Sequence, residues 1–258
     1  MSKFVDKLHK LSKTSVSSIG FHAITPRAKS SPMLLIAGLA GTGVKSAKDI
    51  ASANVDAVLV LNGDFKKAGL KRMIKVLGDI PLGVVVNETD KDKIDELIDS
   101  GCDFVIFDMR TSVALLEREE IGKLLVIEPS IDKSLVRAAG TLDIDGVFIN
   151  GGEGSFITVE QVLIYKHFGE ILDKPLVVTL PSVITSAELS NLWKAGVDGI
   201  VVAPGQSIES LVKLREMIDN LPKEARHGKS KVVDVALPHY SGDISVEEEE
   251  EGGEEEEI

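Results

Sequence analysis

Short apolar runs alternate with helical patterns along the chain between positions 32 and 220. Eight runs occur, each bracketed by turn residues, at positions 33–39, 56–61, 81–86, 103–108, 124–128, 145–149, 175–180 and 198–203. The runs are continuously apolar, which is typical of parallel strands buried on both faces. Eight strand–helix units in a row predict an α/β fold of the closed (β/α)8 TIM-barrel type, because open sheets usually stop at about six strands.

Helix start signals fit this interpretation. Thr158 with Gln161, and Thr185 with Glu188, have the spacing of capping boxes. The eighth helical pattern carries an apolar stripe at helical spacing, formed by Leu211, Leu214 and Ile218.

A four-fold repeat lies within the eight-fold one. Every second run begins with an aspartate, and these are Asp56, Asp103, Asp145 and Asp198. The repeating unit is therefore two strands and two helices, a quarter of a barrel. Alternate strands of a barrel fill alternate layers of its interior, so a difference between odd and even strands is expected. The simpler alternative is that aspartate is common before buried strands.

These patterns divide the chain into four parts. Residues 1–31 are expected to form an N-terminal helix (2–11) and a cap segment (18–25), which together cover the N-terminal mouth of the barrel. Residues 32–220 form the barrel and 221–246 an extension. The acidic C-terminal tail, 247–258, carries nine glutamates and is predicted to be disordered, because it has almost nothing apolar to bury.

Composition narrows the class of protein. The 258 residues carry a net charge of −12, but residues 1–246 hold 29 basic against 32 acidic side chains, so the body is nearly balanced. No basic stripe interleaved with aromatic residues suggests nucleic acid, and no apolar run approaches the roughly 20 residues of a membrane span. We expect a cytoplasmic protein, with a transit peptide as the alternative for the Lys/Ser-rich start. Cys102, the single cysteine, is interpreted as a small core residue.

Carboxylates follow five consecutive predicted strands, the second to the sixth, at Asp64, Glu88, Asp108, Glu128 and Glu153. In this fold, chemistry lies at the C-terminal ends of the strands. Such a rim could hold Mg²⁺ or Mn²⁺, which take oxygen ligands, or supply one carboxyl of raised pKa as an acid or base. Charged residues that simply end buried strands in water are the third interpretation.

Some chemistries are disfavoured by absent residues. No histidine lies at a strand end, and no Cys/His spacing suggests zinc. We expect no lysine within any strand, which argues against a Schiff-base aldolase.

The segments DGVFINGGEGSF (145–156) and KPLVVTLPSVITSAELSNLWKAGVDGIVVAP (174–204) carry a glycine pair after strand six and Ala-Gly-Val-Asp-Gly before strand eight. This half of the chain resembles the FMN-type phosphate-binding barrels, the nitronate monooxygenases and IMP dehydrogenase. The resemblance implies an aldolase-type barrel that binds the phosphate of FMN. It assigns this phosphate to Gly151, Gly152, Gly205, Gln206 and Ser207, and places Glu153 where the family has a histidine base.

Three functions follow as hypotheses. The first is an FMN- or phosphate-binding, oxidoreductase-like barrel in which Glu153, Asp108 and Glu128 are catalytic. The second is a divalent-metal lyase or isomerase acting on a small acid, with Asp64 and Glu88 among the metal ligands. The third is a barrel without catalysis that serves as a binding or assembly module. The expected partner is a small, phosphorylated molecule; the cofactor is FMN, Mg²⁺ or Mn²⁺, or none; homo-oligomerisation and enzymatic activity stay open.

Overall fold

A computed structural model describes residues 2–14, 31–41, 44–62, 67–87, 89, 91–151, 154–181 and 183–222. The strands are β1 (Leu34–Ala40), β2 (Ala57–Asn62), β3 (Leu82–Val86), β4 (Phe104–Phe107), β5 (Gly122–Val126), β6 (Gly146–Ile149), β7 (Leu176–Thr179) and β8 (Val197–Val202). The helices are α1 (Lys3–Thr14), α2 (Val44–Ala51), α3 (Lys67–Leu77), α4 (Lys91–Ser100), α5 (Lys133–Gly140), α6 (Val159–Ile171), α7 (Ser186–Lys194) and α8 (Ile208–Asp219).

The eight strands form a closed, all-parallel barrel in the order of the chain. β1 closes it by pairing with both β2 and β8, with Leu34 opposite Gly199 at one end of the seam. The (β/α)8 prediction is confirmed, and each strand coincides with one of the eight apolar runs. The fourth unit differs from the expectation, because a single 3-10 turn, Val113–Leu115, follows β4 in place of an α-helix. The predicted domain boundaries stay predictions.

The core has two layers. A large outer layer packs the helices against the outside of the barrel, and Leu211, Leu214 and Ile218 belong to it as predicted. A smaller inner layer fills the barrel with alternate strand residues, among them Ile36, Leu59, Phe104, Ile106, Leu124, Phe148, Val177 and Val201. Leu61, Val85 and Val126 are only partly buried against this inner layer, and they lie towards the C-terminal ends of their strands. The side chains of the inner layer are therefore fully buried towards the N-terminal end of the barrel and only partly buried towards its C-terminal end.

The N-terminal helix plugs the bottom of the barrel, as predicted. The ring of Phe4, fully buried, stacks on Phe104 of β4 with centroids 4.1 Å apart and 22° between the planes. Asp103 binds the start of the same helix, since its carboxylate accepts hydrogen bonds from Ser2 Oγ (2.7 Å) and from the backbone N–H groups of Lys3 (2.8 Å) and Phe4 (3.0 Å). This contact satisfies amides that a helix start leaves without partners. The predicted cap at 18–25 lies outside the described residues.

The aspartates before the even strands have a shared structural role. Three of their carboxylates accept the backbone N–H of a residue near the start of the preceding odd strand: Asp56 from Leu35 (2.8 Å), Asp145 from Lys123 (2.8 Å) and Asp198 from Leu176 (2.9 Å). Asp103 instead caps α1. Three of the four repeated aspartates therefore serve hydrogen bonding between neighbouring strands, and all four lie at the N-terminal face, away from the end where this fold carries its chemistry.

One statement from the sequence is wrong. Lysine does occur within a strand, because β5 begins at Gly122 and so includes Lys123. Its side chain is 4% exposed, and Nζ donates to the carbonyl of Leu116 and to Asp143, both at 2.8 Å. This ion pair lowers the pKa of the Asp143 carboxyl. Lys123 lies near the N-terminal end of β5, so it is a packing and pairing residue and supplies no amine to the catalytic face.

Both predicted capping boxes are present at the starts of α6 and α7. In the described part of the chain, no helix is long and apolar enough to span a bilayer.

Cys102 is a buried core residue, as predicted, and its burial raises the thiol pKa to about 12. We expect that an aromatic disulfide does not react with the native protein at pH 8, and that it reacts with one thiol per chain after denaturation. Since the pKa is higher in the folded than in the unfolded state, this group stabilises the fold fully below about pH 9 and less as the pH rises towards 12. Rapid labelling of the native protein, monitored by absorbance, would contradict this burial.

Candidate functional site

The carboxylates predicted at the catalytic rim are only partly described. Asp108 follows β4, and its Oδ1 accepts the backbone N–H of Arg110 (3.1 Å) and the hydroxyl of Thr111 (3.0 Å). Glu128 follows β5 and its side chain is exposed. Asp64, Glu88 and Glu153 lie outside the described residues. The predicted catalytic roles of Asp108, Glu128 and Glu153 stay predictions. The Asp108 carboxylate already accepts hydrogen bonds within the turn that follows β4.

The metal hypothesis gains no support from the described residues. Among them, no group of three or more His, Cys, Asp or Glu side chains could hold a metal ion. The proposed ligands Asp64 and Glu88 are both outside that part of the chain, so the metal site stays a prediction.

A hydrogen-bond chain joins the ends of β6 and β7. The N–H of Gly151 donates to Thr179 Oγ1 (2.7 Å), and the Thr179 hydroxyl donates to Asn150 Oδ1 (3.0 Å). The carbonyl of Gly151 accepts from Nε2 of Gln161 on α6. The Gly151 amide, predicted to bind phosphate, therefore already has a partner within the protein. Gly152 lies outside the described residues, and Pro181 of the next loop has no N–H to offer.

Glu188 fixes the start of α6 to α7. Its carboxylate accepts from the hydroxyl and N–H of Thr185 (2.6 and 2.8 Å) and from the N–H of Ile157 (2.9 Å), the residue before the α6 capping box. These hydrogen bonds, the Thr185 hydroxyl first, hold the pKa of Glu188 below its usual range. The chain leading into α6 is thus anchored on the neighbouring helix.

Tyr165 of α6 is a polar residue of this region that the sequence did not single out. Its side chain is 1% exposed, and its hydroxyl has no hydrogen-bond partner among the described residues. Burial raises its pKa to about 12. From the sequence, a tyrosine at an apolar helix position cannot be distinguished from an ordinary core residue, because only the fold shows what surrounds its hydroxyl.

A cavity of about 440 Å³ lies at the C-terminal ends of β1 and β8. Its apolar walls come from both strands, from Ile50 of α2 and from Leu211 of α8. Polar groups line it at Ser46, Asp49, Gly205, Gln206 and Ser207, and no basic residue lines it within the described chain. Three residues predicted to bind the cofactor phosphate therefore share one cavity.

The start of α8 forms part of this cavity. Ser207 caps the helix, and its Oγ accepts the N–H of Ser210 (3.1 Å). The amides of Ile208 and Glu209 have no partner within the helix, as at every helix start. Gly205 has a φ of +85°, a conformation that favours glycine. The resemblance placed these residues at a phosphate site, and the structure places them at a helix N-terminus.

The sequence did not predict the wall of the cavity that β1 forms, across from the start of α8. On Gly38 of β1, a Cβ would lie 2.4 Å from the carbonyl oxygen of Val202 and 3.4 Å from Pro204 Cδ. The two strands therefore approach closely at the cavity floor only because residue 38 is glycine. A glycine within a strand is the one sequence signal for this, and it does not identify the partner.

Comparison with known proteins extends only to the fold. No protein-family model matches the chain, and no curated protein matches its sequence. Among solved structures, a tryptophan synthase from Mycobacterium tuberculosis has a TM-score of 0.59 and 12% identity, with 84% of this chain and 97% of that chain covered. A thiamine phosphate pyrophosphorylase from Pyrococcus furiosus has a TM-score of 0.55 and 14% identity, covering 74% and 97%.

A mutant tryptophan synthase alpha-subunit from Pyrococcus furiosus is similar at a TM-score of 0.56 and 14% identity, covering 73% of this chain and 97% of that chain. Similarity at such low identity supports a shared fold but no shared reaction, because this barrel hosts many unrelated reactions. The comparisons thus support the barrel and leave FMN and nitronate monooxygenase chemistry unsupported.

Proposed function

We propose that this chain binds a small phosphorylated molecule at the C-terminal face of its barrel, with the phosphate at the start of α8. The observation that carries the proposal is the cavity between β1 and β8, which is lined by Gly205, Gln206 and Ser207. Ligand sites are typically concave and combine apolar walls with a few polar groups, as this cavity does.

The physical case rests on the end of a twelve-residue helix. The first N–H groups of α8 and the positive end of its dipole favour an anion. Many barrels hold phosphate near the loops after strands seven and eight. One structural neighbour is named a thiamine phosphate pyrophosphorylase, which agrees with this ligand class. Asp49 and Glu209 oppose a dianion, so we expect weak, salt-sensitive binding of inorganic phosphate alone.

The finer proposal is that the ligand is FMN and the reaction an oxidoreduction. Among the described residues that the resemblance assigns to the FMN phosphate, those at the start of α8 suit it best, because the Gly151 amide already donates to Thr179. FMN supplies hydride transfer when it is bound, and Glu153, Asp108 or Glu128 would then move a proton. A protein that purifies colourless and gains no bound flavin absorbance with added FMN contradicts this finer proposal. The metal lyase and the non-catalytic module are the alternatives.

Replacing Gln206 with glutamate tests the phosphate site. We expect affinity for inorganic phosphate to fall about tenfold, because the isosteric carboxylate adds a negative charge beside the anion. Isothermal titration calorimetry of wild type and Q206E at low ionic strength measures the change.

Asn191→Asp is the matched control, since Asn191 is exposed on α7 and does not line the cavity. It adds the same charge away from the site and should leave phosphate affinity within about twofold. No detectable phosphate binding to wild type, or equal losses in Q206E and N191D, contradicts the proposed site.

A further inference from the structure

The outer face of α6 carries an exposed apolar stripe. Phe156, just before the helix, is 61% exposed, Val159 is 77% exposed and Leu163 is 62% exposed. Their spacing of three and then four residues places them along one side of a helix. The inward side is apolar as well, since Tyr165 and Phe168 are buried against the barrel. A surface helix ordinarily shows polar residues to water, and one that is apolar on both sides is typical of a buried helix.

This stripe differs from the other exposed apolar positions. Val159 and Leu163 are the two most exposed large apolar residues of the described α-helices. On α8, by comparison, Ile208 and Val212 are each 40% exposed. Single exposed apolar residues are ordinary on a protein surface, whereas a contiguous patch rimmed by polar residues marks an interaction site.

Two opposite charges flank the stripe at equal distances from its centre. Glu160 lies three residues before Leu163, and Lys166 lies three residues after it. At 3.6 residues per turn, they point about 60° to either side of Leu163 around the helix. Both side chains are exposed, and neither forms an ion pair with another described residue. The apolar stripe therefore has one acidic and one basic border.

A second copy of the same helix matches this order of charges. When two helices pack antiparallel about a two-fold axis beside Leu163, residues equally far from it in opposite directions lie level with one another. Glu160 of each copy is then level with Lys166 of the other, and the two Leu163 side chains meet at the axis. A parallel pair would instead place Glu160 beside Glu160 and Lys166 beside Lys166. The charges therefore favour the antiparallel pair.

We propose that the outer face of α6 is a homodimer interface, in which two copies of the chain pack antiparallel about a two-fold axis at Leu163. The contact is independent of the proposed phosphate site, because the residues of α6, all of which the structure describes, do not line the cavity. Even large side chains bury only about 150–250 Å² each, so three of them fall short of the about 800 Å² per partner of a standard interface. We expect a reversible dimer with a Kd of about 10 μM.

Exchanging the two flanking charges tests the pairing. Lys166→Glu places like charges at both contact points, and we expect it to raise the Kd of the dimer at least about tenfold. The double variant E160K/K166E restores opposite charges in exchanged positions, and its Kd should return to within about threefold of wild type. Sedimentation velocity of the full chain between about 1 and 300 μM measures each Kd. A role of Lys166 within its own chain would not be rescued by the exchange.

Leu163→Asp removes the centre of the stripe. This variant should stay monomeric over the same range of concentration, because it places two like charges at the two-fold axis. Its far-ultraviolet circular dichroism should match that of wild type, since residue 163 is exposed and not part of the core. Val212→Asp is the matched control, because it introduces the same charge at another exposed apolar helix position. It should leave the Kd within about twofold of wild type.

Three results would overturn the proposal. A wild-type chain that stays monomeric at about 300 μM has no dimer interface of the expected strength. A dimer that survives in L163D, or that V212D abolishes in its place, has its interface on another face. If K166E weakens the dimer and E160K/K166E fails to restore it, the two helices do not pair antiparallel about Leu163.

Discussion

Replacing Arg215 with leucine is expected to lower the free energy of unfolding by about 3–5 kcal/mol. The Arg215 side chain on α8 is 9% exposed and uses all three nitrogens: Nε donates to the carbonyl of Asn54 (3.1 Å), Nη1 to Ser31 Oγ (3.0 Å) and Nη2 to Asp56. Removing the guanidinium leaves Asp56 partly buried without its cation, and breaking one side of such a pair is more costly than never forming it.

The position of this cluster makes the effect large. Asp56 also accepts the N–H of Leu35, so one carboxylate connects α8, the start of β1 and the start of β2 near the seam that closes the barrel. Arg215→Lys should retain part of the stability, because an ammonium keeps the charge but cannot reach three acceptors in a fixed fork.

Urea unfolding followed by fluorescence of Trp193 gives the measurement, and an unchanged slope shows that stability alone has changed. Lys213→Leu is the control, since Lys213 is an exposed residue of the same helix and its loss should change stability by less than about 0.5 kcal/mol. A value for R215L within about 1 kcal/mol of wild type would show that the cluster is dispensable.

Arg215 also marks the limit of what the sequence predicts. The strands and the buried stripe of α8 follow from local apolar patterns, so Leu211, Leu214 and Ile218 could be identified as core. The arginine between them could not be paired in advance, because Asp56 is 159 positions away in the chain. The aspartate repeat is visible in the sequence, but the partners are not: three of these aspartates accept an N–H of the preceding strand, and Asp103 accepts from the start of α1.

In the candidate site, too, the features set by local sequence could be predicted and those set by contacts distant in the chain could not. Ser207 could be predicted as the start of α8 because N-cap chemistry is local. The cavity beside it could not, since its other wall comes from β1 and α2, which meet β8 only when the barrel closes. Tyr165 was hidden for a related reason: its spacing is typical of helix core, and only the fold shows that its hydroxyl has no partner among the described residues. Lys123 was missed because β5 begins earlier than its apolar run.

Replacing Phe4 with alanine is expected to lower the free energy of unfolding by about 3–5 kcal/mol, as for other buried aromatic residues. The cost depends on how far neighbours can fill the space, and Phe104 has little freedom to do so. A Cβ on Gly83 would lie 2.3 Å from the Phe104 ring and one on Gly122 would lie 3.0 Å from its Cβ, so this ring is already packed closely from the neighbouring strands. The space left by Phe4 therefore stays largely empty.

Thermal unfolding should show this as a fall of about 6–20 °C in the midpoint, at about 2–4 °C per kcal/mol for a chain of this size. His9→Ala, an exposed change on the same helix, should shift it by no more than about 2 °C. The shape of the transition decides what the helix contributes. A single lowered transition means that α1 and the barrel form one cooperative core through Phe4, Leu8 and Asp103. Early loss of α1 followed by an unchanged main transition would contradict this, because the barrel would then be stable without its plug.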